Sequence, residues 1–412
     1  LEGTDSQDAS LGPRSSALVG EFGFALALAE MRRGGTSAPD SEKDRWLKAA
    51  STVISHAEAG VAVRVIALRL ATVLVSSRTS SRGVLGGPLL RSALRLADSG
   101  STRTASPTAT AAIALIVAIV GYVKADRVAL TARDWRAVGA FCREHLDKGL
   151  EHGSAALSLL TLAFDEAATG TELYDCGTLV TRLAITASSS DLRSRCRQLA
   201  LTFLLQYPHS QTALHERLLF LVGQLTGYEH PPGREAAALL LGEAGLRLPS
   251  AAVEANAQYL VLPLAMTSSG DAEQSVRTAA KASLEAMLTR TKGVASCAFI
   301  PRLLVDWYEG KAGAGGRSAT LVHKARLTGA VLLDVLLRLL VTKDMATERR
   351  RLLTTAARYL ATDKLDDDDS WWVIQFHTLR GLALATPKHR DVATAVITDM
   401  PNVWRSLLRS HR

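Results

Sequence analysis

Four cysteines, ten histidines and a few charged runs are the residues of this sequence best suited to chemistry. A structural zinc site needs four ligands at short paired spacings. Cys142, Cys176, Cys196 and Cys297 stand singly, with no C-x-x-C pair. They read as reduced, buried thiols of an intracellular protein. His145 and His152 lie two helical turns apart, with Asp147 and Glu151 beside them. Two imidazoles and two carboxylates could begin a metal site, but a solvated helix face accounts for them without further ligands. Asp366–Asp369 could attract a cation or a basic partner. Placed just ahead of Trp371, the run reads instead as a solvated loop that caps the next helix. Arg349, Arg350 and Arg351 form the longest basic tract, and Arg358 extends it along one helix face. Clustered guanidinium groups can hold RNA phosphate or an acidic partner. These three arginines are therefore the candidate contact residues, set against the plainer reading of a solvated face.

No catalytic constellation accompanies these residues. The sequence has no G-x-x-x-x-G-K-[ST], no H-E-x-x-H and no G-x-S-x-G. The glycines of Gly313–Gly316 follow Lys311, the wrong order to cradle phosphates. Trp46, Trp135, Trp307, Trp371, Trp372 and Trp404 form no regular stacking platform and are expected to pack in the core. No catalytic residue, cofactor site, small-molecule substrate or metal ligand is assigned, and the chain reads as a non-enzyme.

The elements that carry these residues are helical throughout. The chain has 412 residues, 47% hydrophobic and 21% charged, which excludes disordered and membrane-bundle classes. With 30 Gly, 12 Pro and 4 Cys, collagen-like and disulfide-stapled classes are excluded too. The net charge of +8 is dispersed and favours acidic partners mildly. The most apolar run, Ala109–Val123, has 15 residues. A bilayer span takes about 20, so a buried core helix and no membrane contact are expected. The chain opens at Leu1 with a polar, acidic stretch and no signal peptide, as a section of a longer protein would.

Apolar residues recur with a period of 3.6, and strand-like alternation is nearly absent. In 273–290, Val276, Ala279, Ala280, Ser283, Leu284, Met287 and Leu288 make one stripe, with Arg277, Lys281 and Glu285 opposite. Gly-Gly, Pro and Ser/Asp signals punctuate the chain into about eighteen helices. Their expected spans lie near 15–33, 41–56, 61–77, 88–98, 107–125, 131–147, 152–166, 172–188, 191–206, 210–226, 232–246, 249–267, 272–290, 293–308, 319–342, 345–361, 369–385 and 388–410. That makes about nine pairs of about 46 residues, within the repeat length of HEAT arrays. An R-x-x-A signature recurs at Arg64–Ala67, Arg197–Ala200, Arg234–Ala237 and Arg277–Ala280, with Arg326–Gly329 a weaker member. The small residue lets helices approach, and the Arg can reach carbonyl groups of an adjoining turn. The expectation is an all-α fold, one continuous α-solenoid of HEAT/armadillo-like hairpins over 1–412, each hiding its apolar stripe against the next.

Within 190–310 the pattern is more specific. Cys196-Arg197, Phe203-Leu204-Leu205 with Tyr207-Pro208, Tyr228-Glu229 and Gly233-Arg234-Glu235 follow one another, then Leu262-Pro263-Leu264-Ala265, Val276-Arg277 and Leu303–Trp307. This segment resembles the "down-regulated in metastasis" family, the U-three-snoRNA-associated protein twenty family, whose members are giant HEAT-repeat scaffolds of the small-subunit processome. The resemblance implies a non-catalytic scaffold in ribosome biogenesis. It implies partners among pre-ribosomal particle proteins and pre-rRNA/snoRNA, a role in rRNA processing and small-subunit assembly, and location in the nucleus and nucleolus. His230-Pro231-Pro232 and the Gly313–Gly316 loop depart from the family pattern. A generic HEAT/armadillo-type adaptor in transport or signalling is the alternative.

Overall fold

The computed structural model describes residues 23, 39–56, 59–76, 87–98, 106–126, 130–147, 153–166, 168–291, 299–311, 319–340, 346–361 and 371–385. The expected helix near 388–410 and nearly all of that near 15–33 lie outside them, as do Cys297, His152, Glu151, Asp366–Asp369 and Trp404. Seventeen α-helices and no strand occur among the described residues. They are α1 (Asp40–Ser55), α2 (Val61–Ser76), α3 (Gly87–Asp98), α4 (Pro107–Asp126), α5 (Ala132–Asp147) and α6 (Gly153–Asp165). Then come α7 (Thr171–Thr186), α8 (Ser190–Gln206), α9 (Gln211–Gly227), α10 (Pro231–Arg247), α11 (Ser250–Gly270) and α12 (Gln274–Thr291). The last are α13 (Phe299–Glu309), α14 (Ala319–Val331), α15 (Leu333–Leu339), α16 (Ala346–Ala361) and α17 (Trp371–Ala385).

Consecutive helices pack as hairpins: α1 with α2, α3 with α4, α5 with α6, α9 with α10, α11 with α12, α13 with α14 and α16 with α17. Most neighbouring hairpins then stack like on like, although α11 packs on α14. First helices touch first helices (α1 on α3, α3 on α5, α9 on α11, α13 on α16), and second helices touch second helices (α2 on α4, α4 on α6, α10 on α12, α15 on α17). No hairpin can bury its own stripe alone, and this stacking is how an α-solenoid buries it. The contacts divide into two units, Leu1–Leu183 with Ser194–Pro208 and Ala184–Arg193 with His209–Arg412.

In the first unit, α2 buries Ala67, Leu68, Leu70, Ala71 and Leu74, and α4 buries Ala112, Leu115, Ile116 and Ile119. The apolar run of α4 thus serves the core, and no helix among the described residues is long and apolar enough to cross a membrane. Phe164, Tyr174, Phe203 and Tyr207 form an aromatic cluster with ring centroids 5.2–6.5 Å apart. It joins α7 to α8. The close approach depends on Gly177, where a Cβ would stand 2.5 Å from the Phe203 ring.

In the second unit, α10 presses on α12 through Gly242 and Gly245. A Cβ at Gly242 would meet Ser283 Oγ at 2.3 Å, and one at Gly245 would meet Met287 Cγ at 2.6 Å. Where one helix was expected over 319–342, the structure has two, broken at Leu332 (φ −95°, ψ 3°). No Gly or Pro marks this break, because its causes lie elsewhere in the chain. Gly329 sits against the Tyr308 backbone. Lys281 Nζ donates to the Val331 carbonyl oxygen at 3.0 Å and to Asp334 Oδ1 at 2.7 Å, satisfying the backbone that the break frees.

A recurring arginine closes the hairpins. Arg64, Arg193, Arg234 and Arg277 are each the fourth residue of a second helix (α2, α8, α10, α12). Each returns to the end of the helix before it. Arg64 donates to the His56 carbonyl (3.0 Å), and Arg193 to Ala187 (2.6 Å) and Ser188 (2.8 Å). Arg234 donates to Tyr228 (2.9 Å) and Glu229 (2.8 Å), and Arg277 to Asp271 (2.6 Å) and Ala272 (2.7 Å). Helix C-termini leave orphan carbonyls and a partial negative charge, and a guanidinium meets both needs. Three residues beyond each Arg stands a fully buried small side chain: Ala67, Cys196, Ala237 or Ala280. The sequence pattern thus holds for Arg64, Arg234 and Arg277. In α8 the position belongs to Arg193, one turn before Arg197.

Candidate partner-binding groove

The candidate contact residues of α16 are brought together but serve different ends. Arg350 is exposed and Arg349 half-buried. Arg351 is committed to α13: its Nε donates to Glu309 Oε1 at 2.9 Å, and its Nη2 to Glu309 Oε2 at 2.6 Å and to Asp306. Burial alone would raise the Glu309 carboxyl, but hydrogen bonds from Arg351 and Lys311 hold it below its ordinary value. Arg351 is therefore a bridge between α13 and α16, and its charge is already met. Arg358 lies over the Tyr359 ring, 5.1 Å from its centroid.

The described cysteines are enclosed in the core. Cys142, Cys176 and Cys196 are free and buried. Burial pushes Cys176 up to about 12 and Cys196 up to about 11, and raises Cys142 as well. His145 is buried 4.2 Å from the Phe141 ring, with Asp98 Oδ1 3.7 Å from its Nε2. Among the described residues no three His, Cys, Asp or Glu side chains converge as a metal site would require.

A concavity of the second unit lies between α12 and α17, with α14 and α15 as its floor. It encloses about 580 Å³. The heptad logic of α12 explains one wall. Val276, Ala280, Leu284 and Met287 turn into the core, which leaves Arg277, Lys281 and Glu285 on the groove side. In α17, Trp371, Ile374, Thr378 and Leu382 are buried. Trp372, Phe376, Arg380 and Leu384 recur every fourth residue on the open side. Trp372 is 66%, Phe376 53% and Leu384 49% exposed, so Trp372 does not pack in the core as its type suggested. Leu327, Val331 and Asp334 supply the floor.

The electrostatics of this groove are uneven. Lys281 pairs with Asp334 at 2.7 Å, and Arg338 bonds Glu285 and Asp334, so these four charges cancel. Arg277 spends its donors on neutral carbonyls and on Gln274. No carboxylate among the described residues stands in ion-pair range of Arg277 or Arg380. Between them sits half-buried His377. Burial first, then the charges of Arg380, Lys281 and Arg277, lower its pKa. A groove of net positive charge, edged by exposed aromatic and aliphatic groups, can bind a ligand. Composition and motif searching missed this site. The four-residue spacing of Trp372, Phe376, Arg380 and Leu384 was the signal that could have found it.

Comparison with known proteins bears on both fold and role. No protein-family model matches the chain. A stretch of 106 residues, 26% of the chain, is 31% identical to "U3 small nucleolar RNA-associated protein 20" of Schizosaccharomyces pombe, and it covers 4% of that protein. Two crystal structures of Kap121p resemble the fold. A Kap121p mutant aligns over 98% of this chain and 40% of its own, with a TM-score of 0.54 and 14% identity. Kap121p bound to Nup53p aligns over 88% and 36%, with a TM-score of 0.50 and 14% identity. The chain thus spans well under half the length of each, and the structural likeness establishes a HEAT-type α-solenoid.

Proposed function

We propose that the chain is a non-catalytic scaffold section of the small-subunit processome. In this reading it supports pre-rRNA processing and small-subunit assembly in the nucleolus, among pre-ribosomal particle proteins and pre-rRNA/snoRNA. The observation that carries the reading is the 106-residue stretch 31% identical to U3 small nucleolar RNA-associated protein 20. The architecture supports it, since stacked hairpins expose an extended surface on which many weak contacts sum. We take 1–412 as one continuous array of helical hairpins, because two of the three unit boundaries fall inside α7 and α8. Arg350, exposed on α16, is the member of its tract best placed to touch RNA phosphate or an acidic partner.

A second reading is a HEAT-type adaptor for protein ligands alone. The groove between α12 and α17 favours it, as does the likeness in fold to Kap121p, one structure of which is bound to Nup53p. Affinity purification of the full-length protein, with RNA sequencing and mass spectrometry of what accompanies it, separates the two. Small-subunit pre-rRNA and U3 snoRNA, lost as salt rises, are the expected result. Protein ligands indifferent to ribonuclease would replace the scaffold reading with the adaptor.

A further inference from the structure

We infer that the groove between α12 and α17 docks an extended protein segment that carries acidic side chains next to a large apolar one. This goes beyond the scaffold reading, in naming the chemistry of one partner.

Three observations lead to that chemistry. First, Phe376 and Leu384 of α17, each about half exposed, line a concavity of about 580 Å³, and Trp372 is exposed one turn before Phe376. Large apolar groups arranged so are anchor pockets for a side chain of similar kind. Secondly, Arg277 and Arg380 flank the concavity with no carboxylate of the described chain in ion-pair range, so a ligand carboxylate would complete them. Arg277 is already fixed by the Asp271 and Ala272 carbonyls, so the entropy of ordering it is spent on folding and not on binding. Thirdly, Glu285 and Asp334 stand in the wall and floor of the same groove. A phosphodiester chain places a negative charge at every step and would meet both. A peptide can set its carboxylates opposite Arg277 and Arg380 and pass the two acids with apolar or neutral residues. Charge pattern thus favours a peptide over RNA.

The test is selection of a random 12-residue peptide library on the full chain, followed by affinity measurement of the selected peptides. Peptides rich in Asp or Glu around Phe, Leu or Trp are expected. Arg380→Glu and Phe376→Ala should each weaken them at least tenfold, and Arg45→Glu, at an exposed position of α1 in the first unit, should leave them unchanged. Both altered positions are exposed, so the variants keep their fold, which circular dichroism checks. Selection of basic or uncharged peptides, or equal affinity in all variants, overturns the inference. An empty selection also overturns it. Dodecamer oligouridine is the remaining arm. RNA binding lost on Arg380→Glu and Phe376→Ala would reassign the groove to nucleic acid. Failure here leaves the co-purification result standing, and the reverse also holds.

Discussion

Arg234 of α10 grips Asp271, the residue that closes α11, through two hydrogen bonds of 2.7 and 3.0 Å. Both side chains are largely buried, and the same guanidinium holds the Tyr228 and Glu229 carbonyls. One residue therefore closes its own hairpin and ties it to the next. Arg234→Ala should destabilise by about 2–4 kcal/mol, because it leaves a buried carboxylate and two carbonyls unmatched. Arg277→Ala, which loses carbonyls and Gln274 but no carboxylate, should cost about 1–3 kcal/mol. Urea unfolding of both variants measures the order, and equal, near-zero changes would reject the clamp. Ala280→Asp, which puts an unpaired charge at a fully buried site, should be worse than either.

The Asp271 pairing also predicts an acid limb. Burial would raise its carboxyl, but the Arg234 hydrogen bond, aided by the Glu273 amide, lowers it. A lowered native pKa gives stability that is complete above about pH 4 and lost as pH falls through the native value. Stability measured from pH 6 to 3 should fall less steeply in Asp271→Asn than in the parent. Parallel curves would refute the linkage.

His377 gives the opposite limb of the same reasoning. It faces Arg277 and Lys281 from α12 and Arg380 from its own helix, and shares the groove with Glu285 and Asp334. Its lowered pKa means that the unfolded chain takes up a proton that the folded chain refuses. Stability is then full above about pH 6.5 and declines as pH drops toward the native value. His377→Gln should flatten melting temperature between pH 7 and 5. A slope identical to the parent's would remove His377 as the cause.

The buried thiols should be silent. In a Cys297→Ser background, Ellman's reagent at pH 8 is expected to find no reactive group until denaturant is added. At a pKa of about 12, about one Cys176 in ten thousand is thiolate, and the side chain is enclosed as well. Rapid labelling of the native protein would contradict this.

Two glycines predict opposite signs for one substitution. Gly177→Ala should destabilise by about 1–3 kcal/mol through collision with the Phe203 ring. Gly223→Ala in α9 meets nothing within 4 Å and should stabilise by about 0.5–1 kcal/mol. Denaturation midpoints that shift in the same direction would be the contrary result.

Helix positions were legible because local signals set them. The Ser-Asp that opens α8 and the Pro-Pro that opens α10 are visible without tertiary context. The break at Leu332 was not, since the groups that meet its surroundings, Lys281 at Val331 and Tyr308 at Gly329, come from other helices. Arg193 was passed over because Arg193, Arg195 and Arg197 compete within one turn, and only the fold reveals which reaches Ala187. Trp371 and Trp372 are chemically identical neighbours; burial of one and exposure of the other is settled by the direction of α17, which composition does not encode. The groove was hidden for a related reason. Its charges come from α12, α15 and α17, which are far apart in the sequence, and each helix alone looks like an ordinary amphipathic surface.

The fourth-position arginine has a consequence for how such an array can grow. Because it reaches only five to eight residues backward, as from Arg234 to Glu229 and Tyr228 or from Arg64 to His56, its polar closure is internal to one unit. A duplicated unit inherits that latch whole, wherever it is inserted. Only the cross-link to an acid such as Asp271 must be rebuilt at the new junction, so lengthening the array tests one seam and leaves the rest of its architecture as it was.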